Sequence, residues 1–169
     1  MTAIAECKLR ADFEAVAALL AEMAAWDVVE TSALGIPTDD LVALYYSDGV
    51  DALMAKFSGA NGSFLLARAG DRALGCIAVF RIDHELAEIR KLFVRPEARG
   101  TGVGRALFAS ALQEIGNRGF ARVRLVTATF MAGAIAIYRE FGFVDCDPFY
   151  RSPERLVPIA LFMQRELGG

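Results

Sequence analysis

Three glycines at alternate positions, in Arg99-Gly100-Thr101-Gly102-Val103-Gly104-Arg105, carry the clearest chemistry in this chain. Without Cβ atoms the backbone can turn tightly there and bring several N–H groups to one point. The run falls between an extended segment and an amphipathic helix, whose unpaired amides and partial positive charge of about half an electron add to the effect. Together these features suit a phosphate or pyrophosphate. Arg90, Lys91, Arg95, Arg99 and Arg105 stand nearby against the single acid Glu97, although the whole chain has a formal net charge of −3. Two common phosphate fingerprints are excluded. A Rossmann run beginning at Gly100 needs glycine where Arg105 stands, and no Gly-Lys-Ser/Thr triplet occurs. Without the arginines and the strand-to-helix setting, the same glycines would read as no more than a tight start to a helix.

Other reactive residue types give less. Cys7, Cys76 and Cys146 are odd in number, far apart and unaccompanied by a histidine cluster, so a disulfide framework, a zinc site and any other metal centre lose support. His84, the single histidine, falls in an expected turn and reads as an exposed loop residue. With 169 residues, 55% of them hydrophobic and 23% charged, the chain is expected to form one packed domain over residues 1–169. Mean hydropathy is +0.37, but the longest apolar stretch, Phe130–Tyr138, is too short to cross a bilayer and contains Gly133. The first residues lack a basic segment followed by an apolar one, so the expected compartment is the reducing cytoplasm, with no membrane association. The negative net charge argues against nucleic-acid binding.

The elements that must position the glycine turn follow from periodicity. A short strand is expected over Ile4–Leu9. Phe13, Val16, Ala17, Leu20, Met23 and Ala24 then recur at helical spacing, predicting a helix over Asp12–Ala25 and a loop over Trp26–Pro37. Thr38 suits the N-cap of a second helix bearing Leu41, Leu44 and Tyr45, and a third helix is expected over Val50–Phe57. Ser63–Arg68, Ala73–Arg81 and Ala87–Val94 read as a meander of antiparallel strands. Val103, Leu107, Ala111 and Ile115 share one helix face, closed by Asn117-Arg118-Gly119. Arg122–Thr127, Phe143–Asp145 and Ile159–Glu166 are further strands, with a short helix over Gly133–Phe141. The unit from Ala87 to Thr127 makes its two strands parallel. The sheet is therefore mixed, and the class is α/β or α+β. Along the Ala87–Val94 strand, period two puts Glu88, Arg90, Leu92 and Val94 on one face.

The stretch from Val94 to Leu107 resembles motif A of the GNAT superfamily of acyl-CoA-dependent N-acyltransferases, with the Arg/Gln-x-x-Gly-x-Gly/Ala core supplied by Arg99, Gly102 and Gly104. Ala134-Ile135-Ala136-Ile137-Tyr138-Arg139-Glu140-Phe141-Gly142-Phe143 resembles its motif B. The resemblance implies a twisted, mostly antiparallel sheet of about six to seven strands and about four helices, whose central parallel strands splay around acetyl-CoA. Leu92, Phe93 and Val94 would pair with the pantetheine, and the amides of Gly100, Thr101, Gly102, Val103, Gly104 and Arg105 would hold the pyrophosphate beside Arg99. The Leu92 amide would face the developing oxyanion. Tyr138 would face the CoA sulfur. Full proton transfer from a tyrosine of ordinary acidity to a thiolate is uphill by about 2 kcal/mol, so hydrogen bonding to the sulfur is the equal alternative. Glu88 would accept the amine's proton through water, or else be a solvated or salt-bridged strand residue. Met131 stands where many members have a polar residue, so one side-chain hydrogen bond is expected to be lost.

The resemblance calls for acetyl-CoA and no metal. It implies acetyl transfer to a primary amine by direct attack, with a small-molecule amine or an amino-acid-like acceptor favoured over a protein N-terminus or lysine because no docking segment stands out. Trp26, Tyr45, Tyr46, Phe149 and Tyr150 could wall the acceptor pocket, and Asp27, Glu30, Asp145 and Asp147 could draw a cation. An acyl-CoA-binding sensor module and a nucleotide-binding protein are the readings from other classes. A homodimer is one assembly the resemblance allows.

Overall fold

Tight links and alternating apolar residues make the centre of the chain a meander, and the remaining strands are added at its two edges. The computed structural model describes residues 1–168, the side chain of Asp40 apart. Strand β1 (Ala3–Glu6) leads into helices α1 (Arg10–Ala33), α2 (Thr38–Tyr45) and α3 (Val50–Lys56). Strands β2 (Gly62–Ala69), β3 (Arg72–Arg81) and β4 (Leu86–Val94) follow, then a single 3-10 turn (Pro96–Ala98) and helix α4 (Val103–Asn117). After these come β5 (Arg122–Ala128), α5 (Ala132–Glu140), β6 (Val144–Asp145) and β7 (Ala160–Glu166). The seven strands form one sheet in the order β1-β2-β3-β4-β5-β7-β6. Every pair is antiparallel except β4–β5, whose connection runs through α4. The mixed, mostly antiparallel α/β fold expected from the sequence is the one observed, with five α-helices in place of about four.

The end of β1 and the end of α1 both differ from expectation. The strand expected over Ile4–Leu9 stops at Glu6, because Asp12 Oδ2 accepts the N–H groups of Lys8 and Leu9 at 3.0 Å each and draws the chain into α1. Helix α1 then runs to Ala33, through most of the expected loop. Its inward positions after Met23 are Asp27 and Thr31, both buried. A face that turns polar at its inward positions is invisible when only apolar residues are counted. All but one of the side-chain polar atoms of Asp27 and Thr31 have partners: the Thr31 hydroxyl donates to the Asp27 carbonyl at 2.7 Å and the Tyr46 hydroxyl donates to Asp27 Oδ2, which leaves Asp27 Oδ1 alone. Thr38 is the first residue of α2, with Pro37 in the capping position.

The sheet separates two cores. On one side α1 and α3 bring Phe13, Val16, Leu19 and Leu53 against Phe64, Leu66, Cys76 and Ala78. On the other, α4 brings Leu107, Phe108, Ala111 and Ile115 against Leu65, Ile77, Val79, Ile89 and Val123. Successive residues of β2 and β3 thus serve opposite cores, as the pleat requires. Phe108 is fully buried and joins Tyr138, Phe141 and Phe143 at ring-centroid separations of 5.1, 5.3 and 5.4 Å, anchoring α5 to α4.

In β4 the alternation breaks. Arg90 pairs with Ala78 and Phe93 with Cys76, so two residues of β4, Lys91 and Leu92, oppose the single Ile77. This is a β-bulge, and Lys91 sits in the left-handed region at φ 58°. The extra residue inverts the faces beyond it. Ala87 and Ile89 belong to the α4 core, yet so do Leu92 and Val94, while Phe93 belongs to the α1 core. The expectation that Glu88, Arg90, Leu92 and Val94 share one face is therefore corrected: the first two and the last two lie on opposite sides.

Phe108→Ala is expected to lower the unfolding free energy by about 3–5 kcal/mol, the usual cost of emptying a well-packed aromatic site. The urea midpoint measures it, and a loss under about 1 kcal/mol would mean that α5 does not depend on this cluster.

Candidate functional site

Strands β4 and β5 pair only over Leu86↔Arg122, Ala87↔Val123 and Glu88↔Arg124. Beyond Glu88, β4 continues along β3 to Val94, while β5 continues along β7 to Ala128. Two parallel strands thus part in the middle of a sheet. The facing edge of β4 has no strand beside it, which leaves backbone groups for a ligand to satisfy. Two cavities open at the gap, of about 560 Å³ and about 390 Å³, and Met23, Leu92, Phe130 and Met131 line both.

The larger cavity lies over the glycine turn. Leu92, Phe93, Val94, Arg99, Gly100, Gly102, Gly104 and Arg105 line it. Gly100 and Gly102 have φ of +74° and +90°, where a side chain is strained, and a Cβ on either would meet nothing within 4 Å. The space above the turn is therefore open, as an anion cradle requires. Thr101 and Val103 can offer only backbone. The Thr101 hydroxyl donates to the Ala98 carbonyl at 2.6 Å, and the Val103 side chain is buried in the α4 core.

The basic residues of this region do not form one patch. Arg95 pairs with Glu22 at 2.7 Å and Arg105 with Glu140 at 2.8 Å, while Arg90 and Lys91 line the other cavity. Arg99 has no carboxylate partner among the described residues. Its Nε donates to the Val94 carbonyl at 2.9 Å, and its Cζ lies 5.3 Å from the Trp26 ring and 5.8 Å from that of Phe93. Of the three strand residues expected to meet a pantetheine, Val94 thus has its carbonyl already engaged.

The smaller cavity is the polar one. Glu88, 5% exposed, accepts the Nε–H of Arg90 at 2.7 Å and that of Arg124 at 2.9 Å. This is the salt-bridged arrangement, and each carboxylate oxygen retains one further lone pair. The bulge turns Lys91 into the same cavity, where its ammonium donates to the Tyr45 carbonyl and lies 4.4 Å from the Tyr46 ring centroid. Burial brings Lys91 down from an ordinary 10.5 to about 8, against the opposing pull of Asp48 and Asp27. Burial pushes Asp27 up, opposed by its bond from Tyr46 and by Lys91, and its Oδ1 is buried without a partner. Tyr45 and Tyr150 share a hydroxyl–hydroxyl bond of 2.9 Å at the cavity wall. From the sequence Lys91 counts only among the basic residues near the glycine turn; its place in this cavity is not legible there, because no glycine or proline marks the bulge that turns it inward.

Of the aromatics expected around the acceptor, Tyr45, Tyr46 and Tyr150 line this cavity, whereas Trp26 belongs to the larger one. Phe149 stands over the Arg124 guanidinium at 4.0 Å. Of the acids, Asp27 lines the cavity and Asp145 pairs with Arg139 at 3.1 Å. His84 is exposed, as expected.

Tyr138 is 5% exposed and lines the smaller cavity from α5. Burial drives its hydroxyl well above the ordinary tyrosine range, with Thr127 opposing. It therefore stays protonated and can donate. The Thr127 hydroxyl donates to the Met131 sulfur at 3.3 Å. Cys7 and Cys76 are buried, and burial pushes Cys7 up to about 12 and Cys76 higher still. Neither supplies a thiolate near neutral pH. Among the described residues no His, Cys, Asp and Glu group has the arrangement of a metal site, and no helix is long and apolar enough to cross a membrane.

The acetyltransferase (GNAT) family profile matches residues 22–143. IAA acetyltransferase of Azospirillum brasilense is 38% identical over 106 residues, covering 62% of this chain and 67% of its own. An uncharacterised N-acetyltransferase of Schizosaccharomyces pombe is 31% identical over 131 residues, covering 76% and 78%. Among solved structures, the PaiA N-acetyltransferase of Thermoplasma acidophilum in complex with coenzyme A has a TM-score of 0.72 at 21% identity, over 97% of this chain and 99% of that one. The ribosomal-protein-S18-alanine N-acetyltransferase of Escherichia coli has a TM-score of 0.68 at 16% identity, over 100% and 96%. At such identities the structural likeness speaks for the fold alone.

The lowered Lys91 has a consequence for stability. Below about pH 8 the amine is charged in both states, and the folded state bears the full cost of burying that charge. Between about 8 and the ordinary 10.5 the unfolded chain holds more protons, so the cost is relieved as pH rises. Urea midpoints at pH 7.5 and 9.5 are expected to show wild type gaining on Lys91→Met. An unchanged difference would mean that Lys91 titrates as an exposed lysine.

Proposed function

This chain belongs to the GNAT acetyltransferase family, and on that premise we propose that it moves an acetyl group from acetyl-CoA to a primary amine of a small molecule, by direct attack in a ternary complex. The observation that carries this reading is the parting of β4 from β5 beyond Glu88, with a cavity on either side of Leu92. An acyl donor and an acceptor can then enter from different sides and meet at one backbone amide. The burial of Cys7 and Cys76, and a Cys146 that lines neither cavity, speak against a covalent relay.

The donor fits the larger cavity. The open turn at Gly100 and Gly102 and the amides opening α4 suit its diphosphate, with Arg99 and Arg105 at the rim. The free edge at Leu92 and Phe93 suits its amide-bearing arm. When bound, acetyl-CoA supplies an activated thioester. The Leu92 N–H then donates to the thioester oxygen as negative charge develops there. Tyr138 donates a hydrogen bond to the departing sulfur. Because burial raises its hydroxyl, complete proton transfer is more uphill than for a free tyrosine, so stabilising the thiolate is its role. Glu88, through water in the acceptor cavity, takes the amine's proton by the lone pairs its arginines leave free.

Coenzyme A at well above its dissociation constant is expected to raise the melting midpoint. Release of free CoA in the presence of an amine panel reports turnover. Tyr138→Phe is expected to lower kcat by about 100-fold, as loss of one transition-state donor does, with the KM for acetyl-CoA held. Binding without turnover in the wild type would instead mark an acyl-CoA-binding module. Glu88→Gln is expected to lower kcat/KM by about 100-fold, the usual worth of a positioned base, and turnover held at the wild-type level would take the proton-accepting role away from Glu88.

A further inference from the structure

Resting on the acetyl-transfer reading, the geometry of the smaller cavity points to an acceptor that carries its own carboxylate: an α-amino acid or a close analogue, its carboxylate held between Arg90 and Arg124. The two guanidiniums come from adjacent strands: Arg124 of β5 stands opposite Glu88 at the last paired rung, and Arg90 lies two residues further along β4, where the sheet has parted. Each spends its Nε–H on the same Glu88 carboxylate, at 2.7 and 2.9 Å. Their terminal nitrogens have no protein partner among the described residues. An arginine presents five N–H donors in a planar fork, and terminal edges of this kind match a carboxylate.

Charge points the same way. Two guanidiniums face one carboxylate in a group whose side chains are 34% (Arg90), 22% (Arg124) and 7% (Glu88) exposed, which leaves a surplus positive charge. A half-buried charge without a counter-ion is costly, and one arginine would suffice to neutralise Glu88. An anionic acceptor supplies the missing charge. Both forks are also held in place by rings: Arg90 Cζ lies 4.2 Å from the Phe80 centroid and Arg124 Cζ 4.0 Å from that of Phe149.

Position fits an α-amino acid, whose carboxylate is adjacent to its amine: Arg90, Arg124 and Leu92 line one cavity, so a carboxylate held by the arginines keeps the neighbouring amine beside the free edge of β4. Tyr45, Tyr150, Leu41 and Leu156 line the same cavity of about 390 Å³ and leave room for an apolar or aromatic side chain. Peptide N-termini and lysine side chains lack the adjacent carboxylate, and polyamines would bring like charge to Arg90, Lys91 and Arg124.

The test is CoA release by wild type with a panel of α-amino acids, each beside its carboxamide and its decarboxylated amine. Free amino acids are expected to be preferred by about 100-fold in kcat/KM, the cost of leaving a hydrogen-bonded charge unpaired. Arg124→Lys, with folding checked by circular dichroism, is expected to raise the amino-acid KM and collapse the discrimination while the KM for acetyl-CoA holds. Equal use or preference of the carboxamides or decarboxylated amines would overturn the carboxylate site and leave acetyl transfer standing. No transfer to any amine would overturn both.

Discussion

The structure depends on one unmet requirement of the peptide backbone. A central strand of a sheet must find hydrogen-bond partners on both edges, and β4 beyond Glu88 has them only on the β3 side. A parallel pair that parts after three rungs would be costly inside a closed core, where no water reaches the freed groups. Here the gap opens to solvent through two cavities, so the groups are hydrated or offered to a ligand. The neighbouring elements hold the gap open. Strand β5 is tied to β7 over its whole length, and α5 is clamped to α4 by the Phe108 cluster, so neither can swing inward to restore the pairing.

The bulge at Lys91 complements the parting. It lets β4 keep its hydrogen bonds to β3 while changing which side chains face which core. Before it, Glu88 and Arg90 point towards α1 and α2; after it, Leu92 and Val94 point towards α4. The polar residues that suit an acceptor and the backbone that suits a thioester thus come from adjacent stretches of one strand, without polar side chains entering the α4 core. The inserted residue is itself charged, and α1 answers it with Asp27, whose carboxylate also accepts the Tyr46 hydroxyl. That explains why α1 extends so far beyond its apolar stripe: its last two turns serve the cavity rather than the core.

Charge is divided between the two cavities in different ways. Around the glycine turn most arginines are already paired, leaving open backbone amides as the main anion donors, with Arg99 beside them. In the smaller cavity the positive charge is concentrated and aimed, with two guanidiniums braced on one carboxylate and ring faces behind them. A turn of amides accommodates any diphosphate. A pair of forks selects for shape as well as sign.

Much of this was legible in the chain. The meander, the amphipathic α4 and the strand–glycine–helix junction follow from local periodicity and from glycine's freedom at positive φ, properties each residue carries with it. The candidate ligand turn at Gly100 and Gly102 is therefore legible in the chain itself, as is the candidate Tyr138 by its setting in a resembling motif. What folding alone decided was the second half of α1, the bulge and the meeting of Arg90 with Arg124 on Glu88. Asp27 is accommodated on the inner face of α1 because Tyr46, nineteen residues on, donates to its carboxylate, while Thr31 turns its hydroxyl back onto the Asp27 carbonyl. Lys91 is left-handed because β3 sets the register. Arg124 reaches Glu88 only because β5 is laid beside β4 by a fifteen-residue helix packed on the far core. Local preference specifies elements, but the facing of side chains across strands depends on contacts between residues far apart in sequence, and those exist only in the assembled sheet.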